Sequence, residues 1–365
     1  MEPTTNNMNP NLHVILMAGG IGTRFWPYSR NSKPKQFLDV LNCGKTLIQL
    51  TYDRFQTFCL KENIWVVTHE EYLSLVNNQI PEINGENILT EPMRKNTAPC
   101  IAYATRKIFL KNPDATMIVS PSDHMILKEE SFLDTISLAV AHAENQSKLI
   151  TIGIVPLRPE TGYGYIQFLD SETPLKKVKT FTEKPVVELA KTFLESGDFV
   201  WNSGIFVWTA KAILEALEKH LPEMAEAFRD ITPKLNTNEE SLALSSLYSQ
   251  TKNISIDYGV MEKADNVYMI LGNFPWSDLG SWNALFEASP QDENNNVVFG
   301  NVLLDDTKNS FIKGNEEKLL VVKGLDGYLV GIFDNVVIVC EKDKEDIFRQ
   351  YVNVLKSRPN GTDYL

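Results

Sequence analysis

An α/β fold with a mostly parallel sheet, followed by a smaller β-rich part, is predicted by three observations. Short apolar runs alternate with helix-periodic segments over residues 13–151, an Asn-rich turn-forming stretch follows at 292–296, and brief β-rich runs come after it. Strand–helix alternation implies parallel strands covered on both faces, because each return crossover needs a helix. The strands are read at 13–18 (HVILMA), 64–67 (IWVV), 88–89 and 116–119 (TMIV), all nearly continuous apolar runs. Between them, 46–58, 70–79, 98–110 and 131–143 carry apolar residues at helical spacing. In such a sheet, ligands bind at the carboxyl ends of the strands.

From 152 to 290 the pattern elaborates the same sheet, with a Gly/Tyr-rich hairpin candidate at 161–168, helices near 186–196 and 209–219, and two Trp-containing turns. The tail holds short runs such as YLVGIF and NVVIVC, then an amphipathic helix at 344–356 that places Ile347, Tyr351 and Leu355 on one face. Single cores stop growing near ~250–300 residues, so the 365 residues are divided at 1–292 and 293–365. The tail is too short to enclose a large core alone, and it is expected to pack on the first part or on a second subunit.

Composition excludes several classes. With 35 basic against 47 acidic residues, a net charge of −12 disfavours nucleic acid and anionic lipid as partners. Any polyanionic ligand must be held by a local basic cluster. The four cysteines form no C-x-x-C pair and the five histidines no H-x-x-x-H pattern, which argues against a disulfide framework and structural zinc. The polar first twelve residues lack a signal-peptide core, and no run approaches the ~18 apolar residues of a membrane span. A cytoplasmic protein is expected.

The first strand runs into MAGGIGTRFWP and then KPKQF. Gly19, Gly20 and Gly22 allow a sharp turn that aims N–H groups at phosphates. Residues 3–38 contain no acid but hold Arg24, Arg30, Lys33 and Lys35, which marks a polyphosphate site. A dinucleotide fingerprint would need a third glycine at Phe25, and Gly44-Lys45-Thr46 lacks the first glycine of a P-loop, since Asp39 stands there. Asp123 follows the strand TMIVS, and Asp278 lies between Trp276 and Gly280. Each carboxylate could equally be a turn or cap residue. His124, with no partner at metal-ligand spacing, is read as a positioning or structural histidine.

Read with its spacing, segment 17–37 resembles the signature of the sugar-1-phosphate nucleotidyltransferases, in the form G-x-G-T-R-F-W-P-x-S-R-x-x-x-P-K-Q-F of the mannose-1-phosphate guanylyltransferase branch. The resemblance continues in order through Glu91-Pro92 with Arg94, Asn96-Thr97-Ala98-Pro99, Pro121-Ser122-Asp123-His124, PETGYGYI at 159–166, Glu183-Lys184-Pro185, Trp201-Asn202-Ser203-Gly204, Ser255-Ile256-Asp257-Tyr258 and WSDLGSW at 276–282.

The resemblance implies a Rossmann-like nucleotidyltransferase domain with a β-helix-like C-terminal part. It also implies attack of mannose 1-phosphate on the α-phosphorus of GTP, giving GDP-mannose and pyrophosphate. Arg24, Lys35, Asp123 and Asp278 are then catalytic, with Asp123 and Asp278 holding Mg²⁺. Ala18, Gly19, Gly20, Gly22, Thr23, Glu91, Asn96, Thr97, Pro99 and Ser122 bind the nucleotide, and Glu91 to Pro99 reads the base. Gly162, Tyr163, Glu183, Lys184, Asn202 and Asp257 bind the sugar phosphate. Longer members of the branch carry a second, isomerase-type domain, so nucleotidyl transfer alone is expected here, by a homodimer formed through the C-terminal part. The alternatives are thymidylyl or uridylyl transfer to glucose 1-phosphate, and an inactive sugar-nucleotide sensor.

Overall fold

Leu12–Met17 (β1) is flanked on both edges by parallel strands, Ile64–His69 (β2) and Thr116–Pro121 (β4), so that Val14 pairs with Ile64 on one side and Ile118 on the other. Ile88–Glu91 (β3) continues the parallel set beyond β2. The computed structural model describes residues 8–144, 146–344 and 347–365. Helices fall where the periodicity places them: Leu47–Gln56 (α1), Leu73–Gln79 (α2), Thr97–Lys111 (α3) and Glu129–Ala143 (α4). A two-residue strand, Met125–Ile126 (β5), precedes α4.

The chain continues with Leu149–Ile154 (β6), Gly164–Leu169 (β7), Leu175–Glu183 (β8), Val187–Ser196 (α5), Phe199–Thr209 (β9), Ala210–His220 (α6), Pro222–Ile231 (α7), Glu240–Gln250 (α8), Val267–Gly272 (β10), Trp276–Ser277 (β11) and Trp282–Ala288 (α9). The main sheet has the order β3-β2-β1-β4-β9-β6-β10-β8-β7, with β7 also bonded to β9. It is parallel through β3-β2-β1-β4 and at β6–β10, and antiparallel where β9 meets β4 and β6.

Two readings need correction. Trp201–Gly204 is not a turn but lies inside β9. Gly204 takes φ +70° there, and the pairing to β6 shifts between Thr151 and Gly153, so a bulge does what a turn was expected to do. The pair α7 and α8, read only as mixed pattern, buries Met224 and Phe228, and Leu244, Leu247 and Tyr248. Pro222 opens α7 at its first turn, where a missing N–H costs nothing.

Two compact units result. The first comprises the described residues up to Gly19, with Thr51–Ser122 and Ile126–Trp276. It contains the nine-stranded sheet and a core built around Ile15, Val67, Val119, Phe206 and Trp208. The second comprises Gly20–Leu50, Asp123–Met125 and Ser277–Leu365. These units interleave along the chain, unlike a single cut near residue 293.

In the second unit the tail forms Val297–Phe299 (β12), Val302–Asp305 (β13), Phe311–Lys313 (β14), Leu320–Lys323 (β15), Tyr328–Phe333 (β16), Val336–Glu341 (β17) and Ile347–Ser357 (α10). Successive strands alternate between two parallel stacks, β12-β14-β16 and β13-β15, which is the arrangement of a β-helix. Ile312, Val322 and Val330 fill the coil. Trp282, fully buried, is ringed by Phe25, Phe311 and Phe333 at 5.1, 5.3 and 5.5 Å between centroids. The tail therefore shares a core with residues 25–47. Residues 345–346 of the expected 344–356 helix lie outside the described residues. The buried face of α10 is Phe348 and Val352, whereas Tyr351 stays 40% exposed over Trp26. Ile347 and Leu355 of the expected face pack half-buried against the same core, so the apolar stripe is centred on Phe348 and Val352 and Tyr351 falls at its edge.

Candidate active site

In the second unit, β-to-loop connections and the glycine loop bring together the charged residues that sequence separates most widely. Gly22 has φ +66°, and a side chain there would strike Lys35 Cβ at 2.9 Å and Ser29 Oγ at 3.0 Å. The loop is braced by Gln36 Nε2 donating to the Gly20 carbonyl at 2.9 Å and by Ser29 Oγ donating to the Ile21 carbonyl at 2.8 Å. Thr23–Phe25 then makes one 3₁₀ turn. Gly20 and Thr23 are exposed and Arg24 half-buried. Arg24 makes no ion pair among the described residues. Arg30 is not part of a phosphate cluster: its guanidinium donates to the carbonyls of Pro27 and Phe333. Lys33 is exposed. Of the four cations, Arg24 and Lys35 remain as candidates.

Lys35 is 5% exposed. Its Nζ lies 2.9 Å from Asp123 Oδ2 and donates to the carbonyls of Asp278 at 2.5 Å and Leu279 at 3.3 Å. Burial raises the pKa of the Asp123 carboxyl, but the charges of Lys35 and His124 and the Lys35 hydrogen bond outweigh it and hold it below the usual value. His124 Nε2 stands 3.8 Å from Asp123 Oδ1. Burial lowers its pKa, opposed by Asp123, assisted by Lys35 and opposed again by Asp278. His124 therefore lies within the field of both carboxylates. Asp278 is pinned in a turn, its Oδ1 accepting the Gly280 N–H at 2.7 Å. A side chain on Gly280 would meet Asp278 Oδ2 at 2.6 Å.

Among the described residues, no group of three or more His, Cys, Asp or Glu side chains is placed to hold a metal by protein donors alone. Mg²⁺ takes one or two carboxylates together with waters and substrate phosphates, and the two-carboxylate donor set of Asp123 and Asp278 fits that requirement.

The first unit carries two further clusters. At the end of β3, Glu91 is 6% exposed and accepts the Tyr248 hydroxyl at 2.9 Å. Burial pushes its pKa up to about 7 against the opposing effects of Tyr248 and Arg94. A side chain on Gly19 would come within 3.7 Å of Glu91 Oε2, so this carboxyl faces the start of the glycine loop. Ala18 is tied into the sheet, its N–H donating to Val67. Several predicted nucleotide contacts are spent on structure. Ser122 Oγ donates to the Met17 carbonyl, Thr97 Oγ1 accepts the Ile256 N–H, and Pro99 is buried in the first turn of α3. Asn96 stays exposed with φ +70°.

The other cluster gathers the predicted sugar residues. Lys184 Nζ meets Glu183 Oε1 at 2.6 Å. Asn202 Nδ2 donates to Asp257 Oδ1 at 2.8 Å, while Asn202 Oδ1 accepts from Thr151 Oγ1 and the Gly204 N–H. Burial, then the neighbouring Glu183 charge, raises the Asp257 carboxyl to about 6. Gly164 lets Glu183 approach, since a side chain there would lie 2.6 Å from Glu183 Oε2. Gly162 donates its N–H to Glu160. Tyr163 is wedged edge-on between Trp201 and Trp276 at 5.1 and 5.0 Å, and its carbonyl accepts the Lys184 N–H. Tyr248, Gly164 and Gly280 were missed by sequence reasoning. Only the two glycines carried a signal, inside motifs already noted.

No helix among the described residues is long and apolar enough to cross a membrane. The pattern of the nucleotidyl transferase family matches residues 13–295. A mannose-1-phosphate guanylyltransferase of Klebsiella pneumoniae is 35% identical over 349 residues, covering 94% of this chain and 73% of the relative. One from Escherichia coli is 34% identical over 357 residues, covering 96% and 75%. The crystal structure of a mannose-1-phosphate geranyltransferase from Thermus thermophilus superposes with a TM-score of 0.86 at 31% identity, over 95% of this chain and 99% of that one. The ordered motifs, the fold and these similarities agree: the chain belongs to the nucleotidyl transferase family, in its mannose-1-phosphate guanylyltransferase branch.

Proposed function

We propose that this chain transfers a guanylyl group from GTP to mannose 1-phosphate, releasing pyrophosphate and forming GDP-mannose. The observation that carries this reading is the Lys35–Asp123–Asp278 cluster, together with a glycine loop whose Arg24 makes no ion pair among the described residues. A phosphate monoester has its second pKa near ~6, so the sugar phosphate oxygen is already an anion and needs no general base. It forms a bond to the α-phosphorus as the bond to the bridging β-phosphate oxygen breaks in line.

The barrier is charge. Two like charges ~4 Å apart repel by about 1 kcal/mol in water and about 4 at an effective dielectric near 20. Positioning and neutralisation are therefore the work of the site. Arg24 holds the β- and γ-phosphates and the departing pyrophosphate, Lys35 the α-phosphate and Lys184 the sugar phosphate. The Gly19–Thr23 backbone cradles the triphosphate. Asp123 and Asp278 would hold Mg²⁺, which supplies further neutralisation of the phosphates. Glu183 accepts from sugar hydroxyls, and Asn202, fixed by Asp257 and Thr151, has one N–H left for the hexose.

Glu91 suits guanine, because a carboxylate accepts from N1–H and the 2-amino group together. Binding then favours ionised Glu91, and the KM for GTP is expected to fall as pH rises through about 7 and to level above it. Replacing GTP by ITP, which lacks the 2-amino group, should cost about 1–3 kcal/mol in kcat/KM. Comparison with Glu91→Gln isolates the protein's titration from that of the nucleotide. Identical pH profiles for the two proteins would remove Glu91 from base reading. The substrate reading as a whole is tested by pyrophosphate release with GTP, dTTP and UTP crossed with mannose and glucose 1-phosphates. Faster turnover with dTTP or UTP would overturn it.

The homodimer belongs to the same proposal. Edge strand β17 exposes Val337 (69%) and Val339 (59%) on one face, and an uncovered apolar edge favours association. Light scattering of the intact chain is expected to give a dimer, and V337K/V339K a monomer. A wild-type monomer at micromolar concentration would exclude this assembly.

A further inference from the structure

Helices α6, α7 and α8 of the first unit border a cavity of about 700 Å³, lined by none of the residues assigned above to either substrate. Its wall is aliphatic, formed by Leu221, Met224, Ala227, Ile231 and Leu247. No Phe, Tyr or Trp among the described residues lines it, so nothing there stacks on a base. Its rim sets Lys234, Lys252 and Lys263 against Glu223 and Asp230. Glu223 engages Lys252 at 2.8 Å and Glu239 engages Lys234 at 3.6 Å, whereas Lys263 makes no ion pair among the described residues and is the rim cation left to meet an anionic head.

Two walls of this cavity reach the substrate clusters through covalent or packed contact. Leu221 lies against Gly259, where a side chain would meet Leu221 Cδ1 at 2.8 Å. Gly259 belongs to the π-helical turn Asp257–Met261 that begins at Asp257. Ile254 donates its N–H to Lys95 at 3.2 Å and accepts the Ala98 N–H at 3.2 Å, which brackets Asn96 and Thr97. A shift of either wall moves residues that hold Asn202 or that start α3.

We propose that this cavity binds an amphipathic anion, an aliphatic chain lying on the apolar wall with its anionic head at the lysine rim, and that occupancy changes substrate affinity through Leu221 and Ile254. The binding half stands on the cavity alone, and the coupling half rests on the functional reading above. Cavities of this size and mixed lining are typical of small-molecule sites, and coupling requires only that the ligand favour one position of a shared wall.

The test is calorimetric titration of the intact chain with octyl phosphate and with octanoate, which distinguish a phosphate from a carboxylate head. Saturable one-site binding is expected from at least one of them. Neither octyl glucoside nor inorganic phosphate should compete. Ala227→Trp, which fills the wall, and Lys263→Glu, which reverses the rim charge, should each weaken binding at least about tenfold. Lys263 is exposed, so its variant decides the matter even if Ala227→Trp does not fold. Equal binding by octyl glucoside, or undiminished binding by Lys263→Glu, would overturn the anion site. At saturating ligand the KM for mannose 1-phosphate or GTP should move at least about twofold, and unchanged values for both would overturn the coupling. Calorimetry reads binding without turnover, so a failure of the assigned reaction is distinguishable from a failure of this site.

Discussion

Asp278→Asn is expected to fold normally and to lose turnover by at least about 10²–10³-fold, the loss seen when one preorganised charged or polar group is removed from an active site. The substitution keeps the shape of the side chain, and the amide oxygen can still accept the Gly280 N–H that now bonds Oδ1 at 2.7 Å. What it removes is one negative oxygen donor for a hard cation. Near-normal activity at limiting Mg²⁺ would end the two-aspartate assignment. Asp123→Asn should lose turnover as severely but is the less clean experiment. It also leaves the buried Lys35 ammonium without its counter-ion, and breaking a buried pair from one side costs about 3–5 kcal/mol. The pH dependence of stability has the same origin. Because the folded pKa of Asp123 is depressed, its contribution is present above the unfolded value near ~3.9 and is lost as pH falls through the lower folded value. A thermal melt compared between wild type and Asp123→Asn across that acid range would show the difference shrinking.

The second large effect separates the two ends of the proposed site. Lys184→Ala should raise the KM for mannose 1-phosphate by about 10–10²-fold, the worth of one charge-assisted hydrogen bond, and leave the KM for GTP nearly unchanged. Lys184 already sits at φ +45°, and alanine keeps the same Cβ, so the backbone term is common to both proteins. Arg24→Ala should instead chiefly lower kcat, by about 10²–10³-fold, if its contact strengthens as charge moves onto pyrophosphate. Steady-state kinetics with each substrate varied in turn gives both patterns. The same pattern from both variants would show that the division of labour is wrong.

Much of this molecule is local. The continuous apolar runs at β1, β2 and β4, the helical spacing of α1 to α4, and the three glycines after β1 are each written within a few residues, and strand or helix period and φ freedom are properties of such short windows. Order along the chain was equally legible, so the branch of the family could be read from motifs in sequence. Where a local signal had two solutions, the reading slipped. WNSG has turn composition, yet antiparallel pairing of its first residues with β6 and β7 absorbs it as a bulge in β9.

What only the tertiary structure decided is which groups meet and how far each is removed from water. Lys35 bonds a carbonyl 243 residues away, while Arg30, equally basic and five residues earlier, is consumed by backbone carbonyls. Motifs single out Glu91 and Asp257 in the sequence, but nothing local there shows how far each is removed from water. Burial lifts them to about 7 and about 6, and Tyr248 joins the candidate site only by touching one of them. The physical reason is that periodicity and turn chemistry depend on neighbours in the chain, whereas charge pairing and desolvation depend on neighbours in space, which long-range packing alone selects.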